Sequence, residues 1–340
     1  MTSEGTPVAR MEGIDPAAIP FGELIEAQRP VVLAEVAADW PLTRAGRAGA
    51  REAAHYLQRY ASDAPVTVFH IPSESGGRLH YAAGGTALNF TTSRGDLGQT
   101  LADMLETGDG EALYVGSADI ERFVPGLATE NGLDLEHPDF RHREPIKSIW
   151  IGNRTVVPAH YDTSNNLACC TVGRRRFTLF PPDQIANLYP GPLDLTPAGQ
   201  VVSMVDFDEP DHAAHPGFRE ALAVSQVAEL KPGDVLFYPA LWWHRVEALD
   251  PFNVMMNYWW NPVPTFVDTP ETTVLHAILS LRDRPETEKR AWQAVFDYYV
   301  FGDARRAAEH LPPEARGLLG PLDEMAARRL RARILHRMNR

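Results

Sequence analysis

Residues 112–262 constrain the fold most, because their apolar side chains occur in short runs that suit strands better than helices. The runs are rich in aromatic and β-branched residues and are separated by turns of proline, glycine and aspartate. They cover residues 113–115, 146–151, 171–172, 177–180, 235–238 and 254–259. This pattern predicts an antiparallel sandwich or barrel rather than alternating βαβ units. We therefore expect a mainly β core over about residues 112–262.

Both flanks of this core have a different pattern. Residues 1–20 are polar and proline-rich and predict a loose leader. Between them and the core, the sequence predicts helices over 21–28, 46–60 and 97–105, and strands over 30–36 and 66–69. After Pro264 apolar residues return at helical spacing, over 274–281 and 288–300, and the last residues, 313–340, predict one or two more helices. The expected division is a leader (1–20), a main domain (21–264) and a C-terminal helical region (265–340).

Cysteine usage and the first residues bear on the compartment. The only two cysteines, Cys169 and Cys170, are adjacent, and neighbours on a strand point to opposite faces, so a disulfide between them is not expected. We interpret both as small core residues, which fits a reducing compartment. The first twenty residues lack an apolar signal core, and no apolar run reaches membrane-spanning length. These features predict a cytoplasmic protein.

The charge limits the class of partner. A formal net charge of −13 makes a nucleic-acid or anionic-membrane partner unlikely on electrostatic grounds, unless a local basic patch overcomes it. The best candidate patch is the arginine-rich segment 328–333, which we interpret as the solvated face of a closing helix.

The first candidate functional pair is His160 and Asp162. If residues 158–162 form a strand, these two side chains are two apart and project from one face. One imidazole and one carboxylate on a shared face provide two adjacent metal ligands. Alone, the pair is also typical of polar residues at the end of a strand.

The second candidate element leads to His244. Pro232-Gly233 suits a type II turn, and an aromatic-rich strand follows and stops at Pro239. A histidine directly after Trp242-Trp243 is a partly buried polar group that needs a partner. That partner could be a backbone carbonyl, but the His-x-Asp pair in the same β region favours a third metal ligand.

Two histidines and one carboxylate occupy one face of a metal and leave three positions free. This set suits a non-haem iron(II) oxygenase, in which a chelating co-substrate and dioxygen take the free positions. Zinc accepts the same ligands in hydrolases, but the HExxH motif of zinc proteases does not occur in the sequence.

Several blocks in order resemble one family. The segment PAHYDTSNNLACCTVGRRRFTLFPPDQIANLY, then PGDVLFYPALWWHRVEA and Asn257-Tyr258-Trp259, with PVVLAEVAADWP near the start, resemble the JmjC and cupin-like hydroxylases, the group that includes factor inhibiting HIF. The resemblance covers roughly residues 20–262. It implies a double-stranded β-helix (jelly-roll, cupin-like) core with N-terminal α/β elements and a C-terminal helical extension. It also implies a cytoplasmic dioxygenase that hydroxylates a C–H bond with iron(II) and 2-oxoglutarate.

The resemblance assigns roles to individual positions. His160, Asp162 and His244 match the iron ligands, and Tyr114 matches the tyrosine that hydrogen-bonds the far carboxylate of 2-oxoglutarate. Asn166 and Asn257 match amides that line the co-substrate and metal pocket. Arg175 stands where the family often has a lysine for the distal carboxylate, and an arginine fork can still grip a carboxylate.

Two further expectations concern orientation around this pocket. Strand alternation places Arg175 inward and its neighbours Arg174 and Arg176 outward. Val157 replaces a threonine and cannot donate a hydrogen bond, so the pose or affinity of 2-oxoglutarate is expected to differ. The tryptophans at 242, 243, 259 and 260 are expected mainly in the core, with one of a pair free to face the pocket.

The resemblance bears on the substrate and on the assembly. Related proteins act on side chains of proteins, on modified RNA bases and on uncertain targets, and the acidic charge, which could attract a basic peptide, favours a protein or peptide substrate. A small-molecule hydroxylase, a cupin that uses another metal without 2-oxoglutarate, and a non-catalytic binding module remain alternatives. The helices over 274–300 occupy the place of a dimerising appendage, which predicts a homodimer.

Overall fold

A computed structural model describes residues 5–108, 110–141 and 143–339, and it divides the chain into two compact units. The first unit is Met1–Asn261 and the second is Pro262–Arg340. In the described residues no helix is both long and apolar enough to cross a membrane.

The strands of the first unit form two sheets. In chain order their bounds are β1 (Thr6–Pro7), β2 (Ala9–Met11), β3 (Val31–Leu33), β4 (Val66–Ile71), β5 (Thr91–Gly95), β6 (Ala112–Asp119), β7 (Ile146–Gly152), β8 (Val156–Tyr161), β9 (Asn165–Val172), β10 (Arg175–Phe180), β11 (Gln226–Leu230), β12 (Val235–Tyr238), β13 (Trp243–Ala248) and β14 (Asn253–Trp260). One sheet has the order β1-β11-β10-β13-β8, and the other has the order β2-β3-β12-β9-β14-β7-β6-β4-β5. The strands of the β core pair antiparallel throughout. The mainly β, jelly-roll core predicted from the sequence is confirmed.

Strand alternation divides the buried side chains of the larger sheet between two cores. Leu167 and Cys169 of β9 face a core shared with the helices, whereas Ala168 and Cys170 face a core shared with the smaller sheet. Phe177 on β10 belongs to this second core, which therefore lies between the two sheets. Both cysteines are free and buried, as predicted.

Most helices of the first unit pack against the larger sheet, whereas the last of them in chain order packs against residues of the smaller sheet. Their bounds are α1 (Phe21–Ala27), α2 (Pro41–Ala48), α3 (Ala50–Gln58), α4 (Leu97–Glu106), α5 (Ile120–Phe123), α6 (Leu127–Glu130) and α7 (Phe218–Ala223). The single helix predicted over 46–60 is wrong in its bounds, since α2 begins at Pro41 and a break at Gly49 separates it from α3. Proline is favoured in the first turn of a helix and glycine interrupts helices, which accounts for both differences.

The expectation of a loose leader is wrong for the residues that the structure describes. Strand β1 pairs with β11 in one sheet, and strand β2 pairs with β3 in the other. Arg10 on β2 also binds the fully buried Asp234 with two hydrogen bonds, of 2.8 and 3.1 Å. Main-chain pairing and one ion pair hold this segment, and neither leaves an apolar pattern in the sequence. Residues 1–4 of the expected leader lie outside the described part of the chain.

The second unit contains α8 (Pro270–Leu281), α9 (Glu286–Phe296) and α10 (Glu324–Met338). Asp323 caps α10 by accepting a hydrogen bond from the amide of Ala326. Arg331 of α10 donates hydrogen bonds to Asp268 and to the carbonyl oxygen of Phe266. The arginine-rich face of α10 is otherwise largely exposed, as the sequence predicts.

Candidate metal and co-substrate site

Two neighbouring strands bring the three predicted metal ligands together. His160 on β8 and His244 on β13 are directly opposite in the antiparallel register, and their ring centroids lie 4.3 Å apart. Asp162 follows β8 and projects from the same face, so its Oδ2 lies 3.7 Å from Nε2 of His244. The possible ligand atoms of the three residues all lie within 4.8 Å of one another. Within the described residues this is the one such group of histidine, cysteine and carboxylate side chains.

The same local hydrogen bond fixes the orientation of both imidazoles. Nδ1 of His160 lies 2.9 Å from the carbonyl oxygen of Pro158, and Nδ1 of His244 lies 3.0 Å from that of Trp242. A carbonyl only accepts, so each Nδ1 carries the proton and each Nε2 keeps its lone pair for a ligand. Burial, together with the neighbouring His160, lowers the pKa of His244 to about 4, which keeps its imidazole neutral.

A chain of amides connects the triad to the larger sheet. Nε1 of Trp150 donates to Oδ1 of Asn257 over 2.8 Å, and Nδ2 of Asn257 donates to Oδ1 of Asn166 over 3.3 Å. Nδ2 of Asn166 then donates to Oδ2 of Asp162 over 3.4 Å. The two asparagines predicted to line the pocket therefore hold the carboxylate of the triad in place.

Tyr238, at the end of β12, belongs to this network and was not predicted as a site residue. Its hydroxyl accepts a hydrogen bond from Nδ2 of Asn166 over 2.6 Å and lies 3.5 Å from Nε2 of His244. Burial raises the pKa of Tyr238, so its phenol stays protonated. In the sequence it was one aromatic residue of an apolar strand, and its position six residues before His244 was the one available signal.

Arg175 is a buried cation in the same place. Its side chain is 2% exposed, and its Nε and Nη2 have no hydrogen-bond partner in the described structure. Burial lowers its pKa, and burial raises that of the nearby Tyr114, whose phenol therefore stays protonated. Arg174 and Arg176 pair at the surface with Asp250 and Glu229, so the predicted alternation is confirmed.

A single cavity of about 630 Å³ connects all these groups. The predicted site residues that line it are His160, Asp162, His244, Tyr114, Asn166, Arg175 and Asn257. Its other walls are mainly aromatic and aliphatic, and include Phe69, Phe90, Trp150 and Val157. Trp259 also lines the cavity, whereas Trp242, Trp243 and Trp260 are buried among apolar core residues. The expectation that most of these tryptophans are core residues, with one facing the pocket, is confirmed.

The side chains present fit an iron(II) ion and a dicarboxylate. Two neutral imidazoles and one carboxylate are ligands that iron(II) accepts while three coordination positions stay free. A buried guanidinium with two nitrogen atoms that lack a hydrogen-bond partner is costly unless an anion accepts from them, and a carboxylate matches its fork. Tyr114 places a hydroxyl donor in the same cavity. The cavity thus contains one group of side chains that suits a metal and another that suits a carboxylate.

Comparisons with known proteins agree with this description. The profile of the cupin-like domain family matches residues 16–266. HSPB1-associated protein 1 of Bos taurus is 28% identical over 293 residues, which cover 78% of this chain and 55% of the relative. Lysine-specific demethylase 8 of Xenopus tropicalis is 28% identical over 241 residues (69% and 48%), and tRNA wybutosine-synthesizing protein 5 of Danio rerio is 34% identical over 163 residues (46% and 44%). The chain spans about half the length of these relatives.

Proposed function

The chain belongs to the JmjC-type, cupin-like domain family, and on that premise we propose that it is an iron(II)- and 2-oxoglutarate-dependent oxygenase that hydroxylates a C–H bond. One observation carries the proposal: the His160, Asp162 and His244 group shares a cavity with the buried and incompletely bonded guanidinium of Arg175. A metal and a dicarboxylate together account for both features.

Each residue has a task in this proposal. His160, Asp162 and His244 hold the iron, and the carbonyl oxygens of Pro158 and Trp242 keep the two rings in the ligand orientation. Arg175 and Tyr114 hold the distal carboxylate of 2-oxoglutarate, and the apolar walls exclude water. When bound, iron and 2-oxoglutarate supply the oxidising chemistry, in which dioxygen is consumed, succinate and carbon dioxide form, and a C–H bond becomes C–OH.

The substrate that this proposal favours is a protein or peptide side chain. The net charge of −13 attracts a basic peptide and repels a polyanion. The names of the relatives include a lysine-specific demethylase and a tRNA-modifying protein, so they span both classes of substrate. Incubation of the iron-loaded protein with basic peptides should raise succinate formation and add the mass of one oxygen to a peptide. An RNA or a small molecule that gains the oxygen instead would contradict the peptide assignment.

The decisive experiment adds iron(II) and 2-oxoglutarate anaerobically to the purified protein. We expect a visible metal-to-ligand charge-transfer band, because 2-oxoglutarate would chelate the iron that the triad holds. A His160→Ala, Asp162→Ala double variant should lose the band and succinate formation. His70→Ala is a matched control, since His70 is a half-buried histidine on β4 that bonds Glu111 and Ser93 outside the site.

The outcomes separate the proposal from its rivals. Succinate formation that persists in the double variant would dismiss the assignment of the triad. Activity that does not need 2-oxoglutarate would favour a cupin that uses its metal in another reaction. Absence of both metal binding and turnover in the wild type would favour a binding module.

A further inference from the structure

The hydroxyl proton of Tyr238 has a defined direction in the hydrogen-bond network. The indole N–H of Trp150 only donates, so it fixes Asn257 with its oxygen toward Trp150 and its amide nitrogen toward Asn166. Asn166 is fixed in turn, and its Nδ2 donates to the oxygen of Tyr238. The phenol thus accepts from Asn166, and its own proton is left to donate elsewhere.

The acceptor of that proton in the described structure is a metal-binding atom. Nδ1 of His244 donates to the carbonyl oxygen of Trp242, so Nε2 holds the lone pair and lies 3.5 Å from the Tyr238 hydroxyl. A metal bound at Nε2 takes this same lone pair. The Tyr238 proton then needs a new acceptor within the same space, and because Tyr238 is only 3% exposed and lines the cavity, that acceptor lies inside the cavity rather than at the outer surface.

The position of Tyr238 indicates what the new acceptor is. Its ring packs against the His244 ring with centroids 4.7 Å apart, and it lines the cavity together with Arg175 and Tyr114. It therefore lies at the metal end of the space in which the proposed co-substrate binds. In the proposed function, an oxygen of the chelating 2-oxo acid would take a metal position beside Nε2 and so lie near the Tyr238 hydroxyl.

We propose that Tyr238 is a co-substrate-binding residue, which donates a hydrogen bond to an oxygen of the metal-chelating end of 2-oxoglutarate once the metal has taken Nε2 of His244. This inference depends on the proposed function. The phenol would thus change its hydrogen-bond acceptor. Before a metal binds, it donates to Nε2 of His244 and so competes weakly with the metal for that atom. After the metal and 2-oxoglutarate bind, it donates to 2-oxoglutarate and stabilises the chelate.

The test compares the wild type, Tyr238→Phe and Tyr258→Phe under anaerobic conditions. Tyr258→Phe is the matched control, because Tyr258 is a buried tyrosine of the same sheet whose hydroxyl accepts from the amide of Leu133 in the helix-side core. Iron(II) affinity is measured first without 2-oxoglutarate. The dissociation constant of 2-oxoglutarate is then measured from the charge-transfer band of the iron-loaded protein.

Tyr238→Phe should weaken 2-oxoglutarate binding about tenfold, as expected for a lost hydrogen bond to a charged oxygen. It should bind iron(II) at least as tightly as the wild type, because no phenol proton competes for Nε2. Tyr258→Phe should change neither constant. These opposite effects separate a direct contact from damage to the fold, which weakens both.

Two results would overturn the inference. A 2-oxoglutarate dissociation constant within twofold of the wild type would remove the contact, and a loss of iron affinity in Tyr238→Phe would make Tyr238 a structural support of His244. A wild type that shows no charge-transfer band would instead remove the proposed function, and this inference with it.

Discussion

Two histidines with the same local geometry belong to the candidate metal site. Each donates from Nδ1 to the carbonyl oxygen two residues earlier in its own segment, so the orientation depends on strand backbone rather than on distant side chains. Backbone acceptors do not titrate and do not rotate, which keeps Nε2 of both rings available for a ligand. The site therefore exists before a metal binds.

Arg175 differs from the two histidines, because its buried guanidinium lacks hydrogen-bond partners that a bound carboxylate would supply. A buried guanidinium whose Nε and Nη2 lack a hydrogen-bond partner lowers the stability of the ligand-free protein. We expect Arg175→Met to raise the free energy of unfolding of the ligand-free protein by about 1 kcal/mol or more. The same change should weaken 2-oxoglutarate binding at least thirtyfold, corresponding to about 2 kcal/mol.

Urea unfolding and the anaerobic titration measure these two effects of Arg175→Met. Arg176→Met is the control on the same strand, since Arg176 pairs with Glu229 at the surface and should change both quantities little. If Arg175→Met were destabilised and still bound 2-oxoglutarate normally, Arg175 would be a structural residue.

At the scale of strands, the sequence predicted those with apolar residues and missed those that build the cavity. Strand β12 was predicted with its observed bounds, Val235–Tyr238, because every side chain in it is buried. Strand β9 was predicted only at its end, since Asn165 and Asn166 are polar residues that face inward. Strand β13 was not predicted as a strand, because it contains His244, Arg245 and Glu247. Polar residues turned toward a site break the apolar pattern on which strand prediction depends.

The same limit applies to the site itself. The spacing of His160 and Asp162 was sufficient to place them on one face, because the two-residue period of a strand is local. The role of Tyr238 was not predictable from the sequence. Its hydroxyl contacts Asn166 on another strand and His244 beyond a turn. Pairing between strands, not local spacing, creates that contact.

Asp234 connects three segments that are far apart in the chain. Its buried carboxylate accepts two hydrogen bonds from Arg10, one from the amide of Glu35 and one from the amide of Lys231. The neighbouring Gly233 has a φ of 108°, and a Cβ there would lie 3.0 Å from Cα of Ala38, so the turn requires glycine as the sequence suggested. This one carboxylate therefore joins β2, β3 and the turn before β12.

Asp234→Asn should lower the free energy of unfolding by about 3 kcal/mol, because the amide leaves the Arg10 guanidinium without its charged partner and turns a donor toward it. Chemical denaturation measures the loss. Glu12→Gln is the control, since Glu12 is 80% exposed, lies 3.9 Å from Arg10 and should contribute almost nothing. A loss below 1 kcal/mol in Asp234→Asn would show that main-chain pairing alone holds the N-terminal strands.

At the scale of the whole molecule, several large apolar side chains of the second unit are exposed to solvent. On α8, Val274, Leu275 and Leu279 are 54%, 58% and 79% exposed, and Leu275 and Leu279 lie one turn apart on the same face of the helix. After α9, the aromatic run Tyr298, Tyr299 and Phe301 is also exposed. Contiguous apolar patches of this kind mark interaction surfaces.

We propose that a second copy of the chain covers this surface, so that the protein is a homodimer through residues 274–301. Light scattering at micromolar concentration should give twice the mass of 37.7 kDa. Leu279→Asp should shift the protein toward the monomer, because an unpaired carboxylate in an apolar interface carries a desolvation cost of several kcal/mol. Glu314→Lys, an exposed charge change elsewhere in the same unit, should leave the mass unchanged. A wild type that scatters as a monomer at micromolar concentration would contradict the homodimer, and an intact charge-transfer band in the same sample would show that the metal and co-substrate bind without the pair.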